Sequence, residues 1–163
     1  MRAVKMVFDG HLLKRGFWLY VWRVAQNSLE VLYVGRTGDS SSPNASSPFA
    51  RVGQHLDQRP NARANALARQ LRRAGINPES AKFELTAIGP IFEERSTFEQ
   101  HVPLTDEMAA LEKRVSLELK KRGYSVIGQH QSDKDLNEDL FDRVMRKLDE
   151  SFPGNRIEKD QYV

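Results

Sequence analysis

Two runs rich in aromatic and β-branched residues, Phe17 to Val24 and Glu30 to Gly35, flank the short polar segment Ala25-Gln26-Asn27-Ser28. Runs of this kind shield their apolar side chains by pairing, and the turn between them is short enough to force antiparallel pairing. The pattern predicts a β-hairpin around which the other elements must be arranged. Tyr20 lies on one run and Tyr33 on the other. Pairing brings the two phenols into one neighbourhood if the turn sets that register.

The elements that follow can be read from their punctuation. Ser40 to Pro48 is polar and proline-interrupted, which predicts an exposed loop whose serines and asparagine could donate to an anion. Pro48 to Leu56 predicts a helix with Pro48 in its first turn and with Arg51 and His55 on one face at i, i+4 spacing. A second helix is expected from about Ala62 to Ala74, its inner stripe formed by Ala64, Leu67, Ala68 and Leu71, before Gly75 ends it. Lys82 to Ile91 predicts a third strand closed by Gly89-Pro90. Thr105 is the expected N-cap of a third helix, with Asp106 and Glu107 in its first turn, Met108, Leu111, Val115 and Leu119 on its inner face and Lys120, Lys121 and Arg122 at its C-terminal end. A last helix is expected from about Asp133 to Phe152, capped by Ser132. The order implies one α+β domain over 1–163: a small three-stranded antiparallel sheet flanked by helices, with the helix 133–152 closing the chain. A length of 163 residues suits one domain rather than two.

The formal net charge is only +3, from 25 Lys and Arg against 22 Asp and Glu, but the charges are segregated. Between Gln54 and Lys82 the basic residues Arg59, Arg63, Arg69, Arg72, Arg73 and Lys82 face only Asp57 and Glu79, whereas Asp133 to Glu150 is acid-rich. A positive surface patch follows, and a polyanion is a partner it would fit. The chain has no cysteine, which excludes disulfides, thiolate zinc sites and cysteine nucleophiles. No apolar run approaches the roughly 20 residues of a membrane span, and Asp9, His11 and Lys14 break any signal-peptide pattern at the start. The expected compartment is the cytoplasm.

Two phenols, a guanidinium and an imidazole are groups that can move a proton from water and offset charge on a phosphate, and a carboxylate can hold a metal ion. For two strand tyrosines taken alone, a half-buried hairpin is the commoner explanation. Arg51 could be a solvated helix residue and His55 a surface histidine, as His11, His101 and His130 are expected to be. Glu112 and Glu118 flank opposite edges of their helix stripe by similar angles, so helix geometry does not choose between them.

Taken in order, Trp18-Leu19-Tyr20, Tyr33-Val34-Gly35 followed by Thr37, then Arg51, His55 and Glu112 with Val115, this chain resembles the GIY-YIG endonucleases over roughly Phe17 to Gln129. Trp18 stands where the family has its first glycine. The asparagine that follows the glutamate helix in the family falls near Gly128 or Gln129, where no asparagine is present, and Phe92 to Pro103 looks like an insertion. The resemblance implies a DNA endonuclease in which Tyr20 activates water with Tyr33 nearby, Arg51 and His55 engage the scissile phosphate, and Glu112 binds Mg²⁺ or Mn²⁺. Arg36, Thr37, Arg63, Arg69, Arg72 and Arg73 are the expected contacts to DNA. A homodimer is one route to cutting both strands. Two other functions fit parts of the pattern: a nucleic-acid-binding protein on the same fold without turnover, and an interaction module that binds no nucleic acid.

Overall fold

The computed structural model describes residues 1–38 and 44–154. Strand β1 (Phe17–Gln26) opens with six consecutive buried residues, Phe17 to Trp22, and a strand with no polar face must be covered on both sides. It is accordingly central. It pairs antiparallel with β2 (Leu29–Arg36) on one side and with β3 (Lys82–Phe92) on the other. Asn27 takes a φ of 54°, a left-handed conformation that asparagine tolerates, and the strands run on to Gln26 and Leu29. The turn is thus two residues shorter than the sequence predicts. It sets Tyr20 opposite Gly35 and Trp22 opposite Tyr33.

The sheet is four-stranded and mixed, in the order β3-β1-β2-β4, rather than three-stranded and antiparallel. The added strand, β4 (Val126–Ile127), lies parallel to β2, with Leu32 beside Val126 and Tyr33 beside Ile127. At two residues it is too short to carry a periodic signal. β3 also runs through Gly89-Pro90, a cis peptide, instead of stopping there.

Side-chain alternation divides the central strands between two cores. Phe17, Leu19, Val21, Leu32 and Val34 pack with Met108, Leu111, Val115 and Leu119 of α3 (Phe98–Lys121) and with Leu140, Val144 and Leu148 of α4 (Glu138–Leu148). Tyr20, Trp22, Val24 and Val31 pack on the other face with Leu67 and Leu71 of α2 (Ala66–Arg73), Ile76 and the partly buried Tyr33. Each fully buried aliphatic side chain contributes about 1.5–3 kcal/mol.

Three helices begin elsewhere than the sequence predicts. α3 starts at Phe98, where the Thr97 side chain accepts from the Gln100 N–H, and Pro103 lies inside it. Half of the supposed insertion, Phe98 to Pro103, therefore belongs to the helix, and Phe92 ends β3. The longer helix is anchored by buried His101, whose ring lies 4.9 Å from that of Phe17, and by Thr105, whose hydroxyl donates to the Gly38 carbonyl at 2.9 Å. α4 begins after Asn137, which accepts from the Leu140 N–H, while Ser132 caps only the Lys134 N–H. α2 begins at Ala66, and Ala64 is exposed rather than part of the inner stripe.

α1 (Pro48–His55) is capped by Ser47, whose hydroxyl accepts from Ala50 N. Such a cap stabilises a helix by about 1 kcal/mol. Ala45, Ser47 and Pro48 are buried, so this end of the expected exposed loop is not exposed; 39–43 lie outside the described residues. Among the described residues, no helix is long and apolar enough to cross a membrane.

Candidate active site

Tyr20, Tyr33, Gly35, Arg36, Arg51, His55 and Glu112 line one cavity of about 140 Å³. All five residues proposed from the sequence for catalysis thus meet, although they come from β1, β2, α1 and α3. The volume corresponds to roughly five liquid waters at about 30 Å³ each, enough for a solvated anionic group. A wider groove of about 650 Å³ between β3 and α4 holds none of these residues.

The local sequence explains how the phenols reach this cavity. Tyr20 and Tyr33 point to the same sheet face, and Gly35 lies directly beneath the Tyr20 ring. A Cβ at position 35 would come within 2.7 Å of Tyr20 Cζ, so only glycine lets the ring cross the neighbouring strand. The Tyr20 hydroxyl donates to the Arg36 carbonyl at 3.2 Å and lies 2.6 Å from His55 Nε2. His55 is brought there by one turn of α1, buried against both tyrosine rings with centroids 5.9 and 5.7 Å away. Its Nδ1 is buried with no hydrogen-bond partner.

Burial dominates the electrostatics. It pushes the Tyr20 phenol well above its ordinary range, with the Arg51 guanidinium pulling the other way. Tyr33 is pushed up to about 12, first by burial and then by the Glu112 carboxylate. His55 is lowered to about 4, first by burial and then by Arg51, so the imidazole is neutral at physiological pH. Both phenols and the imidazole are held uncharged.

Glu112 is fixed by a partner that the helix pattern does not disclose. Its Oε2 accepts from Arg36 Nε at 3.0 Å, with both side chains about one-fifth exposed. Glu118 instead pairs with Arg122, the residue that follows α3, at 3.3 Å and does not line the cavity. Arg36, expected at a DNA surface, therefore belongs to the cavity itself.

Thr37 also departs from expectation. It is fully buried; its hydroxyl accepts from Trp18 N at 2.8 Å and donates to the Gly16 carbonyl at 2.6 Å. The hydroxyl ties the start of β1 to the end of β2 and faces no solvent. Arg63, Arg69, Arg72 and Arg73 are exposed, Arg63 on the loop before α2 and the others on α2 itself. The charge of Arg69 acts on Tyr33, which places one end of this basic surface beside the cavity. Arg59 is paired with Asp57 at 2.6 Å.

His101 and His130 are not surface residues. His101 is part of the α3 anchor, and the His130 side chain is 6% exposed beside Glu112. A lone loop histidine has no periodic neighbour that could reveal this in the sequence.

Among the described residues, no three His, Cys, Asp or Glu side chains are grouped to hold a metal ion. That donor set does not suit structural zinc, which takes four protein ligands. Glu112 is the carboxylate lining the cavity, and a metal held there would have to be one that keeps several waters and shares a carboxylate with substrate phosphates, as Mg²⁺ and Mn²⁺ do. Comparison of the chain with protein-family models, curated proteins and solved structures gives no match.

Proposed function

We propose that the protein is a metal-dependent DNA endonuclease of the GIY-YIG type, acting by attack of water on a phosphodiester. The convergence of Tyr20, Tyr33, Arg51, His55 and Glu112 on one small cavity carries this reading. Residues that lie far apart in the chain and supply complementary parts of phosphoryl chemistry meet with one end of a basic surface beside them.

Tyr20 is the group that takes the proton from water: its own proton, directed at the Arg36 carbonyl in the resting site, turns to His55 Nε2 across their 2.6 Å contact, with the imidazole proton on Nδ1. With no substrate present the electrostatics oppose this transfer, since burial raises the phenol and lowers the imidazole. A phosphate beside Arg51 and His55 would add the negative charge that favours imidazolium, while the guanidinium of Arg51 offsets charge building on the phosphoryl oxygens. Glu112 would hold a divalent cation, which would supply positive charge for the same oxygens; as the water oxygen bonds to phosphorus the bond to the leaving oxygen breaks, and that oxygen takes a proton from solvent. Proton transfer is thus coupled to the arrival of substrate. Tyr33, packed on His55, keeps the imidazole seated. Arg69, Arg72 and Arg73, with Arg63, would follow the DNA backbone, and cutting both strands calls for two sites or two events. A cytoplasmic location fits a DNA substrate.

A second reading, a nucleic-acid-binding protein on the same fold without turnover, is favoured by the Arg36–Glu112 ion pair, which occupies one oxygen of the carboxylate the metal needs. Plasmid nicking with Mg²⁺, Mn²⁺ or EDTA separates the two. The nuclease reading expects metal-dependent nicking that is lost in Tyr20→Phe and Glu112→Ala. DNA binding without cutting in any metal, across several substrates, would establish the second.

A further inference from the structure

Beyond the residues already assigned, we propose that His130 is a positioning residue that seats the Glu112 carboxylate, an inference that rests on Glu112 as the metal-binding group. His130 Nδ1 lies 3.6 Å from Glu112 Oε1, while Arg36 Nε holds Oε2 from another side at 3.0 Å. The two oxygens of one carboxylate are therefore faced by nitrogens from two different segments. That arrangement fixes the plane and direction of a side chain that would otherwise turn freely about its terminal bonds.

The backbone before His130 is shaped for this approach. Gly128 has a φ of +97°, and a Cβ there would come within 3.3 Å of the Tyr33 ring and 3.4 Å of His130 Nε2. β4 carries the chain alongside β2, Gly128 turns it tightly against Tyr33, and His130 arrives with its ring edge-on to Tyr33 at 6.2 Å. The side chain is more than nine-tenths buried, and its Nε2 has no hydrogen-bond partner. A histidine there only to fill space would not leave a ring nitrogen unpaired while directing the other at a carboxylate. Placing the proton on Nδ1 aims the N–H at Glu112 and leaves a lone pair, rather than a second N–H, without a partner. The contact is longer than a hydrogen bond, so His130 acts by orienting the acid rather than by binding it tightly.

The test uses Mn²⁺ binding, followed by its electron paramagnetic resonance signal, in the parent, Glu112→Gln, His130→Phe and His130→Asn, with plasmid nicking run in parallel. Phe keeps the ring against Tyr33 but has no donor, whereas the Asn amide can present an N–H near the place of Nδ1. The expected result is Mn²⁺ binding lost in Glu112→Gln, weakened about 10- to 100-fold in His130→Phe, and within about threefold of the parent in His130→Asn. Parent-like binding in His130→Phe, or equal loss in His130→Phe and His130→Asn with native circular dichroism, overturns the assignment.

Failure of the two ideas would look different. If the parent binds Mn²⁺ with the expected variant pattern but nicks no substrate, the nuclease reading falls and the role of His130 stands. If the parent nicks and His130→Phe nicks and binds as well, the reverse holds. A parent that binds no Mn²⁺ overturns both. Should the variants fail to fold, imidazole ¹H–¹⁵N spectra of the metal-free parent decide: an Nδ1–H tautomer at His130 supports the assignment and an Nε2–H tautomer overturns it.

Discussion

The two faces of the central sheet are made from the same strands yet do different work. On one, Phe17, Leu19, Val21, Leu32 and Val34 meet the apolar stripes of α3 and α4, and no member of this buried cluster carries an ionisable side chain. On the other, Tyr20 and Tyr33 alternate with those residues, and the Tyr20 hydroxyl and both rings meet His55 beside a small cavity. The first face is insensitive to which atom goes where so long as its volume is filled, because dispersion and burial have no direction. The second depends on individual atoms, and it leaves His55 Nδ1 buried and unpaired where a fully satisfied core would not. Strand alternation lets one segment build both without compromise.

Neighbouring residues on β1 offer the most direct way to break that comparison. Tyr20→Phe should lower cleavage on the order of 10²- to 10⁴-fold, the usual range for removal of a general base, with a stability loss of about 1–3 kcal/mol from the partners its hydroxyl leaves behind and little change in DNA affinity measured in EDTA. Leu19→Ala, one position away on the opposite face, should cost about 2–5 kcal/mol in urea unfolding while the rate per folded molecule stays near the parent. Equal losses of rate per folded molecule in the two variants would show that the faces are not separate.

A smaller effect concerns acid. Folded His55 gains its proton near pH 4 and the unfolded imidazole near 6.5, so between those values the unfolded chain binds more protons. Stability should be at its full value above pH 6.5 and decline as pH falls toward 4, by up to about 3 kcal/mol from this group. Urea midpoints across that window should show a shallower decline in His55→Asn than in the parent. An identical decline in both would mean that burial does not hold this imidazole neutral.

The smallest expected change sharpens the contrast between cavity and surface. Arg69→Ala, Arg72→Ala and Arg73→Ala should each reduce the slope of log DNA affinity against log salt by about one, leaving the metal dependence of nicking unchanged. Thr37→Val should leave that slope alone, because its hydroxyl is buried against Trp18 and Gly16.

What could be read from the sequence follows from the range of each signal. The hairpin and the pairing of Arg51 with His55 were legible because alternation and i, i+4 spacing are local. Helix geometry could not choose Glu112 over Glu118, and only the resemblance favoured it, since the local difference lies in Arg36, 76 residues away. β4 escaped because two residues carry no period, and the true start of α3 because Pro103 looks like a boundary until buried His101 and Thr105 are seen to anchor the turns around it. Thr37 was misjudged for a physical reason of another kind: a hydroxyl after a strand is equally able to bind an anion or to join two backbones, and only the fold decides. The closeness of Gly35 to Tyr20 depends on register, which the turn sets and the composition does not.

The parallel pairing of β4 with β2 also sets an order of assembly. β1 and β2 are joined by a two-residue turn and can pair early, whereas the parallel partner β4 returns only through a long crossover that contains α1, α2, β3 and α3. The tyrosine pair thus belongs to a fast, local nucleus. Glu112 reaches it only through a contact spanning 76 residues, and His130 only after β4 has docked. A chain still emerging from the ribosome would carry its phenols before its carboxylate, so a site that needs both would be complete only after its long-range contacts close.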